Sequence, residues 1–199
     1  MDDRSRWLLT VRPFYEEPHR AYHTFAHLRR MLVLLRRAAR ARGYPEIPAP
    51  LFFAALFHDA VYDPTRTDNE ERSAALCRHR LADARIPARV IDRAETLILA
   101  TKTHVPFDRR FDMLALLDAD LRVLGAEDDA YRRYAAQIRQ EYAHVPIDAY
   151  RRGRIAVLNR FLARSSLFHS ERPAVRRWEE QARRNLQAEI ERLSLPTEP

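Results

Sequence analysis

Apolar residues recur along almost the whole chain at the three- and four-residue spacing of an amphipathic helix, and no stretch alternates in the manner of a half-buried strand. Prolines fall between these periodic segments, where they can begin or end a helix without breaking it. The pattern therefore predicts an all-α fold. The predicted helices cover residues 3–11, 22–42, 50–60, 68–85, 88–103, 111–124, 127–143, 147–165 and 171–194.

The composition argues against several classes of protein. Three glycines in 199 residues leave no glycine-rich loop for a Walker A or dinucleotide-binding motif. The longest apolar run, Leu51–Phe57, is far shorter than the roughly 18 residues of a membrane span, and the chain opens without a secretory leader. Cys77 is the only cysteine, which excludes an internal disulfide and is typical of a reducing compartment. We therefore expect a cytoplasmic protein that does not bind a membrane.

The chain has an excess of positive charge. Lys+Arg number 35 and Asp+Glu 28, a net charge of +7, and every basic residue except Lys102 is arginine. Such a surface can attract nucleic acid or anionic substrates. It can equally reflect ordinary solvated helix faces, because no nucleic-acid-reading motif accompanies the charge. Nucleic acid stays open as a partner, and the sequence does not assign an oligomeric state.

Two histidines lie on or beside an apolar helix face. On a helix each residue advances by about 100°, which places His27 within the stripe formed by Leu28, Met31 and Leu35. His23, one turn earlier, lies at the edge of that stripe. A buried histidine must find a partner, since an unsatisfied buried polar group costs about 1–3 kcal/mol. His27 is therefore either a hydrogen-bonded core residue or a ligand.

Carboxylates follow two other apolar segments. His58 and Asp59 end the most apolar helix of the chain, where a carboxylate is costly unless it is paired or binds a metal; capping of the next turn is the alternative for Asp59. In LLDADLRVLG, Asp120 lies about 60° from the centre of the leucine face and Asp118 about 100° away on its other side. Asp120 is thus the expected inward carboxylate, with pairing to an arginine as the alternative.

Together these segments supply two imidazoles and two carboxylates, in the order His…His-Asp…Asp. Mixed nitrogen and oxygen donors suit Mn²⁺, Fe, Co²⁺, Ni²⁺, Zn²⁺ or Mg²⁺. A divalent metal ion is therefore the predicted cofactor. Four protein ligands around an ion that prefers six would leave positions for water and substrate.

The chain also contains, in this order, YHTFAHLRRML, FHDAVYD, DNEERSA, ILATKTH, DADLRVLG, YRRYAAQIRQEY and YRRGRIAVLNRFL. These motifs resemble the HD superfamily of metal-dependent phosphohydrolases, and most closely its members of unassigned substrate. The resemblance covers roughly residues 15–190. It implies one HD-like helical bundle over residues 1–199, with residues 1–14 and 195–199 peripheral to the core.

The resemblance also implies roles for individual residues. The metal ligands would be His27, His58, Asp59 and Asp120, and Asp59 counts among the catalytic residues as well. His23 matches a histidine that protonates the leaving oxygen in cyclic-nucleotide phosphodiesterases, which are similar in this stretch. His104 would hold substrate phosphate or part of a second metal site. Substrate-binding or supporting roles are open for Lys102, Glu70, Asp63 and Asp118. The alternatives are an exposed side chain for Lys102, a helix-start residue for Glu70 and a turn residue for Asp63.

The function that the resemblance implies is hydrolysis of a phosphate ester in a small, nucleotide-like substrate by a metal-activated water. Two alternatives stand beside it. The first is a metal-binding protein that senses a nucleotide without turnover. The second is a basic helical protein that binds nucleic acid, whose affinity would survive removal of the metal.

Overall fold

The computed structural model describes residues 3–170 and 173–195, and within those ranges every regular element is a helix. The all-α prediction is confirmed. Short 3₁₀ turns cover Arg12–Tyr15 and Leu121–Gly125. None of the described helices is both long enough and apolar enough to cross a membrane. The α-helices are α1 (Asp3–Val11), α2 (Phe25–Ala41), α3 (Ala49–Phe57), α4 (Asn69–Asp83), α5 (Ala88–Thr101), α6 (Phe111–Asp120), α7 (Asp128–Glu141), α8 (Ile147–Leu162) and α9 (Pro173–Ser194).

The predicted helix boundaries differ from the observed ones mainly at the ends. The segment 22–42 begins as a helix only at Phe25, so that His23 precedes α2 instead of lying on it. The segment 111–124 is α6 up to Asp120 and a 3₁₀ turn after it. Residues 171–172, predicted to start the last helix, lie outside the described residues. So do residues 1–2 and 196–199 at the predicted periphery.

The chain divides into two compact units, Met1–Asp120 and Leu121–Pro199. The prediction of a single domain stays a prediction. All four expected metal ligands belong to the first unit.

In the first unit, α3 is the central helix. Every residue from Leu51 to Phe57 is buried, as expected for a segment that is apolar on all sides. The helix packs against α1, α2, α4, α5 and α6, which surround it. The polar residues directly after its last turn therefore lie at the edge of this core.

The amino-terminal helix corrects one expectation. Residues 1–14 were expected to be peripheral, but Val11 is fully buried in the core of the first unit. The Trp7 ring contacts Phe53 edge-on, with ring centroids 5.2 Å apart. The apolar area of Trp7 and Val11, one turn apart on α1, accounts for this packing.

The second unit has its own core around α9. Arg154 donates hydrogen bonds of 2.8 and 3.2 Å to the buried Glu189, which also accepts one of 2.5 Å from the Tyr131 hydroxyl. Gly125 lies against the backbone of Trp178, where a β-carbon would be only 2.5 Å from the carbonyl oxygen. Only glycine permits this close approach.

Candidate metal centre

His27 enters the core from the first turn of α2. The helix begins after Thr24, whose extended backbone directs the chain into the turn. His27 is 2% exposed and shares its side of the helix with the buried Leu28 and Met31. The inward direction predicted for His27 is confirmed.

His58 caps the carboxyl end of α3 and is also buried. Its Nδ1 lies 3.0 Å from the carbonyl oxygen of Ala55. Since a carbonyl only accepts hydrogen bonds, Nδ1 must donate. When the ring is neutral, Nε2 therefore has a free lone pair, which is the arrangement of histidines that bind metals.

Asp120, the last residue of α6, has its two carboxylate oxygens near different histidines. Oδ1 is 3.2 Å from Nε2 of His27 and 3.6 Å from Nε2 of His58. Oδ2 is 2.9 Å from Nε2 of His104. The side chain is only 14% exposed. Asp120 is thus the inward carboxylate that the helix-face argument predicts.

Asp59 completes a group of four side chains, which we call the donor cluster: His27, His58, Asp59 and Asp120. Its Oδ2 is 3.0 Å from Nε2 of His58 and 3.9 Å from Nε2 of His27, and the two Nε2 atoms are 3.3 Å apart. Ligand atoms at about 2.1 Å from a common ion lie roughly 3.0–3.4 Å from one another. Most of the observed separations fall in or near that range, and the atoms of His27, His58 and Asp120 alone could hold an ion.

Charge within the donor cluster is balanced by its histidines. Burial disfavours the charged form of Asp59, but attraction to His58 outweighs it and lowers the pKa of Asp59. The pKa of Asp120 is likewise lowered, because hydrogen bonds from His104, His27 and His58 overcome the effect of burial. Burial lowers the pKa of His27, whereas the two carboxylates raise that of His58 in spite of its burial. Both carboxylates are therefore ionised and available to a cation.

His104 has an unusual backbone conformation for a residue other than glycine. Its φ is +52°, in the left-handed region, which costs about 1–3 kcal/mol for a side chain of this kind. The hydrogen bond to Oδ2 of Asp120 is the contact that this conformation produces. His104 thus lies beside a donor of the cluster. Its predicted contact with substrate phosphate or a second ion stays a prediction.

His23 lies beside the donor cluster, although it is not on α2. Its ring centroid is 6.2 Å from that of His27 and 4.2 Å from that of Tyr62. A positive charge on His23 lowers the pKa of Asp59, because the two side chains lie close together. The predicted role of His23 as a proton donor is not tested by these contacts.

Two of the predicted supporting residues have partners within the structure, while their predicted roles at the site stay predictions. Lys102 donates a hydrogen bond of 2.9 Å to the carbonyl of Thr67 and forms an ion pair with Glu71. Asp63 accepts hydrogen bonds of 2.9 and 2.6 Å from the amide and hydroxyl of Thr65. The turn interpretation of Asp63 fits these contacts, and Lys102 holds the loop before α4.

Glu70 and Asp118 differ in their relation to the donor cluster. Burial and the negative charge of Asp59 raise the pKa of Glu70, so this carboxylate lies near the cluster from the first turn of α4. Asp118 is 4% exposed, although its position on the helix predicted that it would lie away from the buried face. The reason is that α6 packs against α2, α3 and α5 and is covered on more than one side.

Sequence reasoning missed Arg20 and Tyr62. The Arg20 side chain is fully buried and donates hydrogen bonds to backbone carbonyls beside the donor cluster. Its segment is not helical, so helical periodicity gave no indication of its direction.

The comparisons with known proteins add no constraint on function. Neither the protein-family models, nor the curated proteins, nor the solved structures include a match to this chain. The chemistry must therefore be argued from the donor cluster itself. Two imidazoles and two carboxylates fit a divalent ion of the first transition series or Mg²⁺, and no thiolate takes part, since Cys77 is buried in α4.

Proposed function

We propose that this protein is a metal-dependent phosphohydrolase of the HD type. The observation that supports it most strongly is the convergence of His27, His58 and Asp120 on one buried point, with Asp59 against His58 and all four residues in the order of the HD motif. Four such side chains within an apolar core are costly unless they pair with one another or bind an ion, and their separations suit both.

The four donors would hold the ion. Hydrogen bonds between these side chains and neighbouring residues fix the directions in which the side chains point. His58 is oriented by the Ala55 carbonyl and Asp120 by His104. Contacts of this kind set the tautomer and basicity of metal ligands. A bound divalent ion supplies an activated water and neutralises charge on a phosphoryl oxygen.

The remaining roles belong to residues beside the donor cluster. In the proposal, His23 donates a proton to the departing oxygen, a contribution of about 10²–10⁴-fold. His104 holds Asp120 and lies where a phosphate could approach. The substrate is a small phosphorylated compound, nucleotide-like in its chemistry, and the lone buried thiol of Cys77 supports a reducing, cytoplasmic setting.

The decisive experiment compares the wild-type protein with Asp59→Ala. Metal content is measured by elemental analysis, and activity by a screen of nucleotides, phosphomonoesters and cyclic phosphodiesters with Mn²⁺, Co²⁺, Ni²⁺ or Mg²⁺. We expect Asp59→Ala to bind no metal and to hydrolyse nothing, while Asp83→Ala, which alters an exposed residue at the end of α4, retains both. Full metal content and turnover in Asp59→Ala would contradict the proposal. Metal binding by the wild type without turnover of any substrate would favour a sensor.

A further inference from the structure

Arg20 joins two segments of chain that each contribute to the donor cluster. It lies between the first 3₁₀ turn and α2, and its side chain is 0% exposed. One guanidinium nitrogen donates to the carbonyls of His23 (2.9 Å) and Asp59 (2.8 Å), and the other terminal nitrogen to that of Ala60 (3.3 Å). The Nε atom donates to the carboxylate of Glu17 (2.9 Å).

Aromatic rings hold the guanidinium in place. Its central carbon is 5.3 Å from the ring centroid of Tyr15 and 5.3 Å from that of Tyr62. The Tyr15 hydroxyl donates a hydrogen bond of 3.0 Å to the carbonyl of Leu56, in the last turn of α3. A cation over aromatic rings is attracted by them, and more strongly when it is desolvated. Two aromatic rings thus contact the guanidinium in addition to its hydrogen-bond partners.

The backbone that Arg20 binds has no helix to hold it. α3 ends at Phe57, and the carbonyls of Asp59 and Ala60 lie beyond the regular hydrogen-bonding pattern of that helix. A buried carbonyl without a donor is costly. The position of Asp59, which sets where its carboxylate points, therefore depends on the donors that Arg20 supplies.

We infer that Arg20 is a positioning residue of the metal centre, which fixes the backbone of Asp59 against that of His23 so that the donors are already aligned before an ion binds. This inference rests on the proposed function, because it concerns the affinity of the same donor cluster. Arg20 has no role in the chemistry itself.

The shape of the guanidinium is what the role requires. Lysine has the same charge but only one nitrogen, which cannot serve three carbonyls and the Glu17 carboxylate in their observed directions. Arg20→Lys should therefore keep the buried charge while releasing the Asp59 backbone. Loss of contacts behind metal ligands typically lowers metal affinity by about 10–100-fold.

Arg183 offers a matched control in the second unit. It donates to the carbonyls of Leu162 (3.1 Å), Arg164 (2.8 Å) and Ser165 (3.3 Å) and to the carboxylate of Glu179 (2.8 Å). Its Nε and two terminal nitrogens donate to three carbonyls and one carboxylate, as those of Arg20 do, and all of these partners belong to the second unit, whereas the expected metal ligands belong to the first. Arg183→Lys should therefore reproduce the loss of hydrogen bonds without the loss of metal affinity.

The test titrates Co²⁺ into chelator-treated full-length protein and follows heat release and visible absorption, beside thermal unfolding without metal. We expect Arg20→Lys to bind Co²⁺ at least about tenfold more weakly than the wild type, with an altered absorption band, and Arg183→Lys to bind it as the wild type does. Equal affinity and an unchanged band in a folded Arg20→Lys would overturn the inference. Equal weakening in Arg183→Lys would do so as well, since the effect would then be general.

A second variant keeps the inference testable if Arg20→Lys does not fold. Glu17→Gln alters a half-exposed partner of Arg20 and should weaken Co²⁺ binding in the same direction, by less than Arg20→Lys. Unchanged affinity in Glu17→Gln would then overturn the inference. Absence of Co²⁺ binding by the wild type would instead contradict the proposed function, so the two failures are distinguishable.

Discussion

Two described residues, one beside the donor cluster and one at the end of α4, have a backbone conformation that side chains other than glycine disfavour. His104 and Arg85 are the two described residues other than glycine with positive φ, at +52° and +57°. Arg85 follows the end of α4 and is exposed. Both residues follow the end of a helix, where a left-handed residue is common, but only the conformation of His104 also brings an imidazole to Asp120.

Replacing each of these residues by glycine should separate the two situations. Glycine removes the steric cost of positive φ. We therefore expect the free energy of unfolding of Arg85→Gly to be about 1 kcal/mol higher than that of the wild type, with unchanged metal affinity. His104→Gly gains the same backbone relief but loses the contact with Asp120. Its metal affinity should fall by about 10–100-fold.

Denaturant unfolding and metal titration measure both quantities on the same samples. Arg85→Gly is the control for the change in backbone. Metal affinity of His104→Gly equal to that of the wild type would show that the contact with Asp120 contributes nothing to ion binding.

At the scale of elements, the sequence predicted the helices because apolar periodicity records burial directly. The α3 segment is the clearest case, since a run that is apolar on all sides can only be stable when it is covered on all sides. The same reasoning failed for Asp118, because one helical face cannot describe α6, which packs against three other helices. Periodicity treats each helix as if it had a single buried side.

The donor cluster was predictable for a related reason. Polar residues on apolar segments stand out against a regular pattern, so His27, His58 and Asp120 could be recognised before any contact was known. Arg20 could not be recognised in this way, because its segment has no regular period. Three of its partners are backbone carbonyls, which every residue type has, so the sequence does not indicate them.

The two helix-associated glycines of the second unit lead to a prediction about packing between elements. A β-carbon at Gly125 would meet the backbone of Trp178 in α9, whereas nothing lies within 4 Å of the same position at Gly153 in α8. Overpacking of this kind typically costs about 1–3 kcal/mol, and we expect that loss for Gly125→Ala. Gly153→Ala should instead stabilise α8 by about 0.5–1 kcal/mol.

Urea unfolding of both variants provides the measurement, and each is the control for the other, since both add one methyl group. Stabilisation by Gly125→Ala comparable to that by Gly153→Ala would mean that the approach of Trp178 can relax without cost.

For the molecule as a whole, the net charge of +7 raises the question whether charge or the donor cluster determines function. The outward side of α2 carries exposed Arg29, Arg36 and Arg40 and the helix contains no acidic residue. No ion pair joins these three arginines to another of the described residues. The opposite side of the same helix carries His27. The two sides of α2 can therefore be tested separately.

Charge reversal by Arg36→Glu with Arg40→Glu should leave Co²⁺ affinity and hydrolysis of small phosphate esters unchanged, because both arginines face away from the donor cluster. Any binding of RNA should weaken, and the slope of log affinity against log salt concentration should fall by about 2 if both arginines contact phosphates. Arg152→Glu with Arg160→Glu on α8 makes the same change in net charge and is the control. Salt titrations of RNA binding by fluorescence anisotropy and kinetic measurements on a small ester test these expectations. Loss of small-ester hydrolysis in the α2 variant alone would place its outward side in the substrate path, and the two sides of α2 would then not act separately.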